Sequence, residues 1–165
     1  MENLSKLEYV TKIESCFTNK SPFSQIEIGK LSSSEVREAA THLVRNGRET
    51  IAAALVDAAI TIYPNEPDVL AMAGLLSMER QDWEGACEYL YKLLTAQGIE
   101  APATNYLMLA KAQICNLDLS AAITTLEVGL IAHPGDAALT DEYQKLSMAG
   151  MVPGAAAIAC QSLPA

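Results

Sequence analysis

Aromatic residues are scarce in this chain of 165 residues, with six Tyr, two Phe and one Trp, although half of all residues are hydrophobic. A β-sandwich would ask for more Val, Ile, Thr, Tyr and Phe, so this Ala-rich apolar half points to closely packed helices. Basic residues are also few: eleven Lys and Arg stand against twenty Asp and Glu, a net charge of −9. Such a surface repels phosphate backbones and anionic bilayers, which argues against nucleic acid and membranes as partners. No run approaches the roughly 18 uninterrupted apolar residues of a membrane span, so no membrane insertion is expected. At the start of the chain, Glu2, Lys6, Glu8, Lys12 and Glu14 break up what a secretory signal needs as its apolar centre. The expected compartment is therefore the cytoplasm.

Residues that carry chemistry are equally thin. The two histidines, His42 and His133, belong to no H-x-x-x-H or E-x-x-H pair, and no glycine-rich phosphate loop occurs. Cys16, Cys87, Cys115 and Cys160 show no C-x-x-C spacing and are expected as reduced, mostly buried thiols. A Cys–His dyad would have to be assembled across distant segments. His133, just before Pro134, reads as a residue serving a helix end. The acidic run Asp82, Glu84 and Glu88 reads as a solvated helix face. The expectation is a protein that is not an enzyme, with no catalytic residue, no metal and no cofactor.

What the chain does contain is a repeat. Three stretches, ending at Pro64, Leu94 and Pro134, superpose on the small residues Ala52, Ala86 and Ala122, which stand 34 and 36 residues apart. Around them recur a large residue, a small pair, a turn and a closing Pro. The second repeat supplies Leu70, Ala73-Gly74, Trp83, Ala86, Leu90 and Leu93; the third supplies Tyr106, Leu109-Ala110, Leu119, Ala122, Leu126, Gly129 and Pro134. In the first, Val36, Ala39-Ala40, Leu43, Gly47, Ala52, Val56, Ala59 and Pro64 fit, but Glu49 stands where an aromatic is usual.

This pattern resembles the tetratricopeptide repeat family over about residues 33–135. The physics behind it is close approach. Two antiparallel helices touch only where side chains are small, and large residues at i, i+3, i+4 and i+7 fill the space between hairpins. A single hairpin cannot bury its apolar face alone, so hairpins stack. The expected fold is all-α, with antiparallel helical hairpins stacked as a right-handed superhelix of the tetratricopeptide kind. Three segments are expected: 1–32 as an N-terminal helix and linker, 33–135 as three hairpins, and 136–165 as a capping helix and an Ala-rich tail. Turns are read at Asn46-Gly47, Gln81-Asp82 and Asn116-Leu117-Asp118, and a capping box at Ser32 and Glu35.

Toward the ends, Leu4, Leu7, Val10, Ile13 and Phe17 form one helical stripe that either packs on the first hairpin or serves as a dimerisation arm. The alternating run Gln25–Gly29 reads as an extended linker. After Pro134 a helix over about 136–148 should face Leu139, Tyr143 and Leu146 inward.

The resemblance implies a concave wall built from the first helix of each hairpin. By register its binding positions are Arg37, Thr41, Val44 and Arg45; then Ala71, Leu75 and Met78; then Leu107, Lys111 and Ile114. Ala71, Leu75, Leu107 and Cys115 occupy positions where family members that grip a terminal carboxylate carry a polar clamp, so binding of a chaperone's acidic tail is not implied. An apolar groove with flexible Met suits an amphipathic helix or hydrophobic peptide, unless the chain's own N-terminal arm or a second protomer covers it. The chain is also similar in size and charge to the tetratricopeptide chaperones of type III secretion. The expected function is a bacterial secretion-type chaperone sheltering an amphipathic segment of a partner protein. The alternative is a scaffold or adaptor subunit that forms a homodimer or assembles with folded partners.

Overall fold

The computed structural model describes residues 31–149 together with Gly29. The stripe at residues 4–18, the run at 25–28 and the tail from 150 onward lie outside the described residues. Among the described residues there are seven α-helices and no strand: α1 Ser33–Arg45, α2 Glu49–Ile62, α3 Pro67–Glu79, α4 Trp83–Gln97, α5 Ala103–Cys115, α6 Leu119–Ala132 and α7 Ala137–Ala149. A single 3-10 turn, Gly98–Glu100, follows α4. The protein is all-α, as its composition requires.

Each long turn of the repeat ends one helix and starts the next by the same device. The residue after the helix C-cap takes a left-handed conformation at Gly47 (φ +70°), Gln81 (φ +60°) and Leu117 (φ +63°). The following N–H then returns to the last turn of the preceding helix: Arg48 to Leu43 O, Asp82 to Ser77 O and Asp118 to Gln113 O, each at 2.9 Å. This is a Schellman closure, which satisfies carbonyls that a helix end leaves orphaned. Only the first repeat uses glycine for it. Gln81 and Leu117 adopt the conformation at a cost of roughly 1–2 kcal/mol each, and the paired hydrogen bonds hold them there.

Helix starts follow local chemistry too. Ser32 and Glu35 form the expected capping box, with Glu35 N–H donating to Ser32 Oγ at 3.3 Å and Ser32 N–H to Glu35 Oε2 at 2.8 Å. Pro67 opens α3, where a missing N–H removes nothing the helix needs. At the far end of the hairpins, a ring at the helix C-cap reaches back to the residue two before the hairpin's first helix. The Tyr63 hydroxyl donates to Leu31 O at 2.7 Å, and His133 Nε2 lies 2.7 Å from Ala101 O.

The chain divides into two compact units, residues 1–76 and 77–165, with the division inside α3. The expected segments carry no such boundary, because the repeat register runs through α3 unbroken. In the first unit Val36, Ala40 and Leu43 of α1 are buried with Ala52, Leu55, Val56 and Ala59 of α2 and with Val69 and Leu70 of α3. In the second, Tyr106, Ala110 and Ile114 of α5, Ala122 and Leu126 of α6, and Leu139 and Leu146 of α7 form one cluster. The three register-setting alanines, Ala52, Ala86 and Ala122, have no exposed surface at all. A larger side chain at those positions should overpack the crossing, at a cost of about 1–3 kcal/mol.

Candidate functional site

In the first unit α1 and α3 lie side by side. Arg37 Nε stands 3.1 Å from Asp68 Oδ1, and Thr41 Oγ1 lies 3.8 Å from Met72 Sδ while also donating to Arg37 O at 2.8 Å. These contacts set the register, 37 against 68 and 41 against 72, so the next turn places Val44 level with Leu75. Leu75 keeps 41% of its surface exposed, beside the half-buried Ala71 one turn earlier on α3. Arg45 is exposed at the end of α1. Arg37 and Thr41 thus meet α3, the partly open Val44, Ala71 and Leu75 follow along the two helices, and the Arg37–Asp68 pair stands at one end. That pair is half in water and contributes little to stability.

The remaining expected positions belong to the second unit and fare differently. Met78 and Lys111 are half-buried. Leu107 is also half-buried, packed against the cluster of Tyr106, Ala110, Ile114 and Leu126. Ile114 does not line a groove: it is 1% exposed, inside that same cluster. The reason is α7, whose Leu139 and Leu146 pack over this part of α5. A register read from one hairpin alone does not show that covering.

Several other sequence readings also change. Asp82 is no mere part of a solvated face. It caps α4 by accepting from Gly85 N–H at 3.1 Å, as Asp118 caps α6 through Ala121 N–H at 3.0 Å and Asp136 caps α7 through Leu139 N–H at 2.9 Å. An Asp immediately before each apolar helical run was the available signal. Trp83, the aromatic of the second repeat, is only half-buried at the first residue of α4. His133 packs edge-on against the Tyr106 ring, with centroids 6.0 Å apart, and serves the Ala101 carbonyl rather than its own helix end.

Cys87 is a free, half-buried thiol. Burial pushes its pKa above the ordinary value, and the nearby Asp118 carboxylate pushes it further the same way. At neutral pH its thiolate fraction therefore falls below that of an unhindered cysteine. Peptide-level mass spectrometry of iodoacetamide labelling on the full chain should find Cys87 slow at pH 7, with its rate rising only in the alkaline range. Asp118→Asn should retain the cap, bring the pKa down and speed labelling; Asp118→Ala should in addition cost about 1 kcal/mol of stability. Equal labelling rates in wild type and Asp118→Asn would show that the carboxylate does not act on the thiol.

Among the described residues, no group of three or more His, Cys, Asp and Glu side chains is placed to hold a metal ion. No helix among them is long and apolar enough to cross a membrane.

No family model matches the sequence, and no curated protein matches it. A solved structure does match: a chain described as the MamA RS-1 ArsTM double mutant, with a TM-score of 0.66, 15% sequence identity, and coverage of 97% of this chain and 93% of that one. MamA contains tetratricopeptide repeats. The likeness shows the fold of this chain, a tetratricopeptide-like arrangement of helices.

Proposed function

We propose that this chain is a non-catalytic protein-binding module that holds an amphipathic or hydrophobic segment of a partner against the α1–α3 face. The observation that carries the reading is Leu75. A large apolar side chain left 41% exposed, beside Ala71 and level with Val44, offers area that a partner's apolar face would bury at about 25 cal/mol per Å². The Arg37–Asp68 pair at one end and Arg45 at the other offer polar contacts that fix orientation, as rim residues do around an apolar centre. The tetratricopeptide-like fold supports the reading, because such folds present helix faces rather than closed catalytic clefts.

More specifically, we propose a bacterial secretion-type chaperone acting in the cytoplasm. An aggregation-prone segment sheltered on the apolar strip, with a strongly acidic exterior keeping the complex dispersed, is the physical logic of such a protein. The test is Leu75→Glu. Helix content by circular dichroism should stay unchanged, while partner capture, and the thermal stabilisation given by a short amphipathic peptide without Lys or Arg, should be lost. A saturating ligand at a hundredfold its Kd adds about 2.7 kcal/mol, which is readily measured. Unaltered stabilisation in Leu75→Glu would overturn the reading. Leu107→Glu is not an equivalent test, because Leu107 packs on the core and a buried carboxylate there would weaken the fold itself.

A scaffold or adaptor subunit is the second reading, favoured by large apolar side chains exposed elsewhere, Tyr91 and Ile131 among them. A scaffold should be a fixed oligomer at all concentrations and should ignore added peptides.

A further inference from the structure

The second unit carries an apolar edge that the α1–α3 face does not explain. Val128 and Ile131 lie one helical turn apart on α6 and are 48% and 79% exposed. Ile99, in the 3-10 turn after α4, is 89% exposed. The hydrogen bond from His133 to Ala101 O ties the end of α6 to that turn. It stands two residues from Ile131 on one side and two from Ile99 on the other, so the three side chains share one end of the unit.

The charged residues next to them along the chain are acidic. Glu127 stands one turn before Ile131 on α6, held in place where Tyr143 Oη donates to its Oε1 at 3.1 Å, and Glu100 follows Ile99 directly. Both are exposed. From residue 77 to 149 the chain has ten Asp and Glu against four Lys and Arg. Two of those four, Lys92 and Lys145, are already paired, with Glu88 and with Asp141. An apolar centre with an acidic rim repels a second copy of itself and attracts a segment of opposite charge.

We propose that the Ile99–Val128–Ile131 edge docks a basic amphipathic helix of another protein, whose apolar side covers the isoleucines and whose Lys or Arg side chains meet Glu100 and Glu127. This edge belongs to the second unit and the α1–α3 face to the first, so different substitutions test the two.

The probe is a labelled 18-residue model helix with Leu on one side and Lys on the other, and its Leu/Glu counterpart serves as control. Binding to the full chain is read by fluorescence anisotropy. In the Leu75→Glu background, which disables the α1–α3 strip, the Lys peptide should bind and weaken as salt rises, while the Glu peptide should not bind. Added to that background, Ile131→Asp and Glu127→Lys should each weaken the Lys peptide at least tenfold. Ile131→Asp adds negative charge, so capture by net charge alone would survive that change or strengthen. Such an outcome would overturn the proposal. So would a Leu75→Glu chain that does not bind the Lys peptide at all, or a dimer in sedimentation equilibrium that Ile131→Asp dissociates, which would make the occupant a second copy. Circular dichroism on each variant guards against loss of fold, which exposed positions should not cause.

Discussion

Trimming Leu126 to alanine should lower the free energy of unfolding by roughly 2–5 kcal/mol, the range for deleting a large buried aliphatic side chain. Leu126 has no exposed surface and sits in the cluster that joins α5, α6 and α7 through Tyr106, Ala110 and Leu139. Loss of its branched end leaves a cavity that three helices border, and none can close it without breaking contacts with the others. Whole domains are stable by only about 5–15 kcal/mol, so this one change should remove a large fraction of the total. Urea denaturation followed by circular dichroism measures it, with the slope of the transition staying near that of the wild type. A loss below about 0.5 kcal/mol, the scale of an ordinary surface change, would mean that the cluster does not hold these helices together.

The second large effect is expected from adding a single methyl group. Gly129 lies within α6, where glycine is ordinarily a liability worth about 1 kcal/mol relative to alanine. Propensity alone therefore predicts that Gly129→Ala stabilises. Packing predicts the reverse. A Cβ built at Gly129 would stand 2.9 Å from Tyr106 Cβ, 3.1 Å from Tyr106 Cγ and 3.2 Å from Leu139 Cδ1. The first of these atoms is fixed to the α5 backbone and has no rotamer by which to withdraw. The clash must be relieved by moving α5 away from α6, which opens the best-packed part of the second unit. Overpacking of this kind typically costs about 1–3 kcal/mol, so Gly129→Ala should come out destabilising despite the gain in helix propensity. Gly129→Leu should be worse still. A higher melting temperature in Gly129→Ala would mean that α5 and α6 do not meet closely at this crossing.

These two positions also show how much could be read beforehand. Leu126 and Gly129 both belong to the repeat pattern, one as a large residue and one as a small residue, and the structure puts both in the interior. The alanines that set the register are fully buried for the same reason. Small residues at fixed spacing are the covalent record of a helix crossing, so the crossing is legible without coordinates. The capping box at Ser32 and Glu35 was legible because its chemistry is complete within four residues. The left-handed turn was legible at Gly47 and not at Gln81 or Leu117, where the Schellman hydrogen bonds impose a conformation that the side chain itself disfavours.

The candidate site was less legible. Arg37 and Thr41 of α1 do meet α3, at Asp68 and Met72, an offset of 31 residues that the repeat spacing of 34 does not state. Ile114 occupies the same repeat position as Val44 and Met78, yet it is buried, since α7 lies over its part of α5. Leu107 is held against the core by the same neighbours. Repeat position fixes which way a side chain leaves its own helix. It does not state what a later helix lays on top.

The sequence by itself determined the helices, their ends and the small residues at their crossings, because each of these depends on residues within a few turns or at a constant repeat spacing. Tertiary structure alone decided which positions remain open: Leu75 on one face, Ile99 and Ile131 at another edge, and Ile114 on neither. Exposure is a property of what packs above a residue, and that is set by segments distant in the chain whose placement no local pattern encodes.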